Sequence, residues 1–121
     1  VGTANEWTIY HNPRCSKSRA ALEYLAEKGV KPRVVEYLKT PLDVTALNDL
    51  LRRLDANARD ILRDGEDEYE RLGLNNPTVT REELLNAVAG HPVLLQRPIV
   101  VRGERAVIGR PTEAIDALLD D

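Results

Sequence analysis

The stretch Glu6-Trp7-Thr8-Ile9-Tyr10-His11-Asn12-Pro13-Arg14-Cys15-Ser16-Lys17-Ser18-Arg19-Ala20-Ala21-Leu22 holds a strand, a turn and the opening of a helix, in that order. Glu6 to Tyr10 is a short β-prone run. His11-Asn12-Pro13 ends it, because proline brings no N–H to a strand ladder and asparagine favours turns. From Cys15 the residues favour a helix reaching Gly29, with Ala21, Leu22 and Leu25 at helical spacing. Gly29 is placed as its C-terminal stop. Pro32 then leads into a second strand, Arg33 to Tyr37. Strand, helix and strand at this spacing form a βαβ unit, with parallel strands and a right-handed crossover.

Beyond this unit the pattern turns helical. Asp43 caps a predicted helix that carries Val44, Leu47, Leu50, Leu51 and Leu54 on one face. Short helical pieces are expected at Ala58 to Leu62 and at Asp67 to Leu72. Thr80-Arg81-Glu82-Glu83 has the form of a capping box, in front of Leu84, Leu85 and Val88. After His91-Pro92, Pro98 to Val101 and Arg105 to Ile108 flank a turn at Arg102-Gly103-Glu104 and read as a β-hairpin. A last helix is expected from about Thr112 to Leu119. The order β-α-β, helical insertion, β-β-α predicts an α/β fold on the thioredoxin-like plan. That plan is a four-stranded mixed sheet flanked by helices, with the insertion between its βαβ and ββα halves. Without a repeat, a low-complexity tract or a long linker, residues 1–121 are expected to form a single domain.

Composition bounds the function. Of 121 residues, 42% are apolar and 31% charged, the balance of a globular domain. With four Tyr, one Trp and no Phe, the core must be built from Leu, Ile, Val and Ala. A net charge of −3 is of the wrong sign for a nucleic-acid coat. No apolar run approaches the roughly 20 residues that span a bilayer, and no signal-peptide pattern opens the chain. Neither nucleic acid nor membrane is expected as a partner. One cysteine excludes an internal disulfide, which suits a reducing, cytoplasmic setting. One cysteine and two separated histidines, His11 and His91, make no metal-ligand set.

Cys15 is the residue whose setting points to chemistry. It follows a strand and a turn and opens a helix, where unsatisfied N–H groups and the helix dipole favour a thiolate. Arg14, Lys17 and Arg19 add positive charge, and His11 lies four residues before it. Amides and cations that favour a thiolate also bind an oxyanion. A buried, inert thiol is the usual fate of an isolated cysteine, but the strand–turn–helix position and basic flank favour a reactive one. Ser18 stands where a C-x-x-C motif has its second cysteine. A phosphatase-type loop is excluded, because the arginine it needs six residues past the cysteine is Ala21 here.

His11-Asn12-Pro13-Arg14-Cys15-Ser16-Lys17-Ser18-Arg19 resembles the active-site segment of the glutaredoxin-coupled arsenate reductases. Three further segments agree in order. Tyr37-Leu38-Lys39-Thr40-Pro41 resembles that family's strand-to-helix join. Ile61-Leu62-Arg63 with Tyr69-Glu70-Arg71-Leu72-Gly73-Leu74 resembles its central helical segment. His91 to Val101, followed by Ile108-Gly109-Arg110-Pro111, resembles its C-terminal motif. Gln96 departs from the asparagine of many members, and the short C-terminus resembles the chromosomal branch.

The resemblance implies that Cys15 is the nucleophile that attacks arsenate, and that Arg63, Arg97 and Arg110 hold the oxyanion. It further implies that His11 tunes the thiol, that Ser18 hydrogen-bonds the thiolate, and that Pro98 is a cis-proline facing it. No cofactor is expected to be bound; glutathione is implied as co-substrate and glutaredoxin as partner, since Cys15 has no second thiol in the chain. Two other readings are open: an Spx-like redox-sensing regulator that binds RNA polymerase, and a general glutathione-linked thiol oxidoreductase. Ser18 in place of a second cysteine and the presence of all three arginines favour the reductase over the regulator.

Overall fold

A computed structural model describes residues 6–119; both chain ends, 1–5 and 120–121, lie outside it. In chain order the elements are β1 (Trp7–His11), α1 (Ser16–Glu27), β2 (Arg33–Glu36), α2 (Val44–Leu54), α3 (Asp67–Arg71), α4 (Arg81–Gly90), β3 (Ile99–Arg102), β4 (Arg105–Ile108) and α5 (Asp116–Leu119). Short 3₁₀ turns at Ala58–Ile61, Pro92–Leu94 and Thr112–Ile115 complete them. The chain divides into two compact units, Val1–Thr40 with Arg97–Asp121, and Pro41–Gln96. No helix among the described residues is long and apolar enough to cross a membrane.

The first unit carries the sheet, in the order β2-β1-β3-β4. β1 runs parallel to β2 and antiparallel to β3, and β3 pairs antiparallel with β4, so the sheet is mixed as expected. The hairpin between β3 and β4 turns on Gly103 and Glu104, with Gly103 at φ +58°, a conformation costly for a residue bearing Cβ. α1 ends in a Schellman motif: Gly29 N–H donates to Ala26 O at 3.0 Å and Val30 N–H to Leu25 O at 2.9 Å, with Gly29 at φ +78°. Gly29 is therefore the helix stop that its position implies.

Ile9 and Val100 from the sheet, Ala21 and Leu25 from α1, and Ile115 and Leu118 from the C-terminal segment form one buried cluster. The Tyr24 hydroxyl donates to Asp116 and ties α1 to the start of α5. Leu25 is 0% exposed. Leu25→Ala is expected to cost about 2–5 kcal/mol of unfolding free energy, read as a lower urea midpoint at unchanged slope.

The second unit is helical. The Asp43 carboxylate accepts from Ala46 N–H at 2.8 Å and caps α2. Thr80 and Glu83 form the anticipated capping box on α4: Glu83 N–H reaches Thr80 Oγ1 at 3.1 Å, and Thr80 N–H reaches Glu83 Oε1 at 2.9 Å. Two expectations need adjustment. Ala58 to Leu62 is a 3₁₀ turn over Ala58–Ile61, too short for an α-helical ladder to repeat. The last helix divides into the 3₁₀ turn Thr112–Ile115 and α5.

Candidate active site

Cys15 is the N-cap of α1 rather than its first helical residue, with an extended backbone at φ −98° and ψ 122°. Its N–H donates to Asn12 O, and its carbonyl accepts from Arg19 N–H, both at 3.0 Å. The turn is thus pinned on both sides of the thiol. A cap side chain faces the free N–H groups of the first turn, which here belong to Lys17 and Ser18. Sγ closes no capping hydrogen bond of normal geometry, but it sits within their field. The half-buried thiol loses solvation, and this alone raises its pKa. The N–H of Ser18, the Arg97 guanidinium and the N–H of Lys17 outweigh that effect, and the thiol titrates below its ordinary value.

Arg97 reaches this position from the other end of the first unit. The Arg97–Pro98 bond is cis, as the resemblance implied for Pro98, and Arg110–Pro111, which was not anticipated, is cis as well. Gly109 N–H donates to Pro98 O at 2.9 Å. A Cβ on Gly109 would come within 3.1 Å of Pro98 Cγ, so a larger residue beside Arg110 would press on the cis-proline.

His11 and Ser18 are both buried and joined at 2.6 Å through His11 Nδ1 and Ser18 Oγ. Ser18 Oγ also accepts the Asn12 N–H at 3.0 Å. Ser18 therefore meets the thiolate through its backbone N–H, while its hydroxyl is engaged by His11 and the turn. Burial pushes His11 below the ordinary imidazole value; Glu36, its register partner across β1 and β2, pulls upward, and Arg19 pushes down again. A ring kept neutral, with its proton on Nε2, accepts the Ser18 hydroxyl at Nδ1.

The three arginines are not alike. Arg97 is half-buried beside Cys15. Arg110 is exposed and belongs to the same unit. Arg63 belongs to the second unit, where its Nη1 meets Glu66 at 2.5 Å and its N–H donates to Leu94 O at 2.7 Å. Gln96, the residue that departs from the family pattern, donates through Nε2 to Leu62 O at 3.2 Å, next to Arg63 in the chain.

Two residues that sequence reasoning left out of the site belong beside it. Asn12 closes the turn by accepting from Cys15 N–H and, through Oδ1, from Arg14 N–H. Tyr37 follows β2 and is fully buried. Burial pushes its phenol pKa up, Arg97 pulls it down, Cys15 pushes up, and Asn12 pulls down. The strand register explains the grouping. His11 pairs with Glu36 and Tyr10 with Ile99, so Tyr37, just after β2, and Arg97, just before β3, leave the sheet on opposite sides of β1 at the end that leads to Asn12 and Cys15. Only the pairing of β1 with both neighbours reveals this, because Tyr37 and Arg97 lie far apart in the chain.

The model of the ArsC family matches residues 10–118, nearly the whole described chain. The chain belongs to the ArsC family. A Neisseria meningitidis relative of this ArsC chain, named arsenate reductase, is 50% identical over 115 residues, covering 94% of this chain and 98% of its own. An Escherichia coli protein of the same name is 38% identical over 114 residues, covering 94% and 81%. Among solved structures, an arsenate reductase from Vibrio cholerae superposes with a TM-score of 0.92 at 39% identity, covering 94% of this chain and 98% of that one. This ArsC chain has the thioredoxin-like fold expected from its element order.

Proposed function

We propose that this ArsC protein reduces arsenate to arsenite, beginning with attack of the Cys15 thiolate on arsenic. The observation that carries the reading is the convergence on one sulfur of the Ser18 and Lys17 N–H groups and the Arg97 guanidinium. A thiolate approaching an oxyanion meets like charge. Fixed N–H dipoles and a guanidinium oppose that repulsion, and the planar fork matches two oxygens of a tetrahedral oxyanion. Arg63 and Arg110 complete the oxyanion clamp in this reading, on the strength of their family motifs. Similarity to proteins named arsenate reductase supports arsenate as the substrate.

In the first step the Cys15 sulfur forms a bond to arsenic, and an arsenate oxygen leaves as water. With no second cysteine in the chain, reduction requires an external thiol. Glutathione displaces a second oxygen from the adduct, again as water. A glutaredoxin thiolate then attacks the glutathione sulfur: the sulfur–arsenic bond breaks, its electron pair stays on arsenic, and arsenic passes from the pentavalent to the trivalent state. Hydrolysis releases arsenite and the Cys15 thiol, and a further glutathione regenerates glutaredoxin. The sum is arsenate plus two glutathione giving arsenite, glutathione disulfide and water. A reducing cytoplasm, where these reductants are kept reduced, is the setting this reading calls for.

The test is a coupled assay with arsenate, glutathione, glutaredoxin, glutathione reductase and NADPH. NADPH oxidation should require arsenate and cease when either glutathione or glutaredoxin is left out. Oxidation indifferent to arsenate would remove the substrate assignment. Activity on a glutathionylated peptide with arsenate inert would reassign the protein as a general thiol oxidoreductase.

A further inference from the structure

Two buried polar atoms of the first unit make no hydrogen bond among the described residues: the Tyr37 phenol oxygen and Arg97 Nε. Buried polar groups are nearly always paired, because an unpaired one forfeits its hydration without replacement. Two such atoms in one small region therefore need an explanation. Tyr37 is 0% exposed and follows the last β1–β2 pair, and Arg97 precedes β3, so both lie at the Cys15 end of the sheet, on opposite sides of β1. Their chemistry is complementary: Nε–H can only donate, and a phenol oxygen accepts.

We infer that Tyr37 is a positioning residue for Arg97, its phenol oxygen receiving Nε–H when the outer guanidinium nitrogens grip an oxyanion beside Cys15. That one hydrogen bond gives both orphaned atoms a partner. It also fixes the guanidinium plane, which a bidentate grip on two oxygens requires. The Arg97 and Asn12 side chains and Cys15 all act on the Tyr37 phenol, so all three lie within its reach. Tyr37 touches no reacting atom; it acts through Arg97. If Tyr37 were only core filling, phenylalanine would serve as well or better, since it occupies the same space and buries no oxygen. The inference rests on the oxyanion reading above and deepens it.

The experiment measures how strongly arsenate, and separately sulfate, protects Cys15 from alkylation by iodoacetamide. It compares wild type, Tyr37→Phe, Arg97→Lys and the double variant. Tyr37→Phe should melt no lower than wild type yet lose about tenfold in protection. In the Arg97→Lys background, which lacks Nε, adding Tyr37→Phe should cost almost nothing further. In wild-type protein, sulfate should move the Arg97 Nε–H resonance downfield and slow its exchange with solvent. This last readout stands even if Tyr37→Phe does not fold. Protection that is unchanged in Tyr37→Phe, an equal loss in both backgrounds, or an Arg97 Nε–H resonance that stays put at protecting sulfate concentrations would each overturn the role of Tyr37. Failure of both arsenate and sulfate to protect wild-type Cys15 would overturn the oxyanion reading as well.

Discussion

Replacing Cys15 with serine is expected to lower arsenate-dependent turnover by at least about a thousandfold, while the fold stays intact. The exchange is nearly isosteric, at a half-buried N-cap where serine is itself a preferred residue. Thermal stability should therefore hold or rise slightly. What disappears is the nucleophile. The N–H groups of Ser18 and Lys17 and the Arg97 guanidinium lower the pKa of a thiol, which starts close enough to neutrality for them to matter. A serine hydroxyl starts far above that range, and the same groups leave it protonated. Coupled NADPH oxidation, read beside a melting curve, separates lost chemistry from lost structure. A Cys15→Ser protein with more than a few per cent of wild-type activity would contradict the covalent route.

Arg97→Ala should produce the next largest loss, about a hundredfold to a thousandfold in kcat/KM for arsenate, the scale of removing one preorganised donor from a developing charge. Two effects combine. The fork that holds the oxyanion disappears. The thiol also loses one of the main influences holding its pKa down, so burial, which raises it, gains weight. The sign follows directly: a higher thiol pKa leaves less thiolate at pH 7, and the pH–rate profile should move to higher pH. Arg97→Lys should fall between wild type and alanine, since it restores the charge but neither the plane nor Nε. An alanine variant that kept its pH profile and lost only affinity would show that Arg97 binds substrate without assisting the thiol.

The parts of the architecture legible in the sequence were those written locally. Gly29 as a helix stop, Asp43 as a cap and the Thr80–Glu83 capping box each rest on a few adjacent residues, and each is present. The mixed sheet followed from the order of its strands. Cys15 was legible for the same reason, since its strand, turn and helix are contiguous. Its displacement to the N-cap was not, because helix ends depend on backbone geometry that neighbouring residues only bias.

The remainder of the site is assembled by pairing between distant segments. Arg97 draws attention only through a family motif, and Tyr37, although it heads a family-like segment, is tied to the site only by its place at the end of β2. The hydroxyl of Ser18 looks available to the thiolate in sequence. It is engaged by His11 Nδ1 and the Asn12 N–H, an arrangement that depends on where β1 and α1 lie. No local pattern encodes it.

The central claim is that this fold lowers the pKa of a lone cysteine and so favours its thiolate. With one cysteine in the chain, thiolate absorbance at 240 nm reports on Cys15 alone once a Cys15→Ser blank has removed the tyrosine contribution. Titrating that difference against pH gives the thiol midpoint directly. A midpoint below that of a free cysteine, about 8.5, moving upward in Arg97→Ala, is the predicted result. A midpoint at or above the free value would contradict the account.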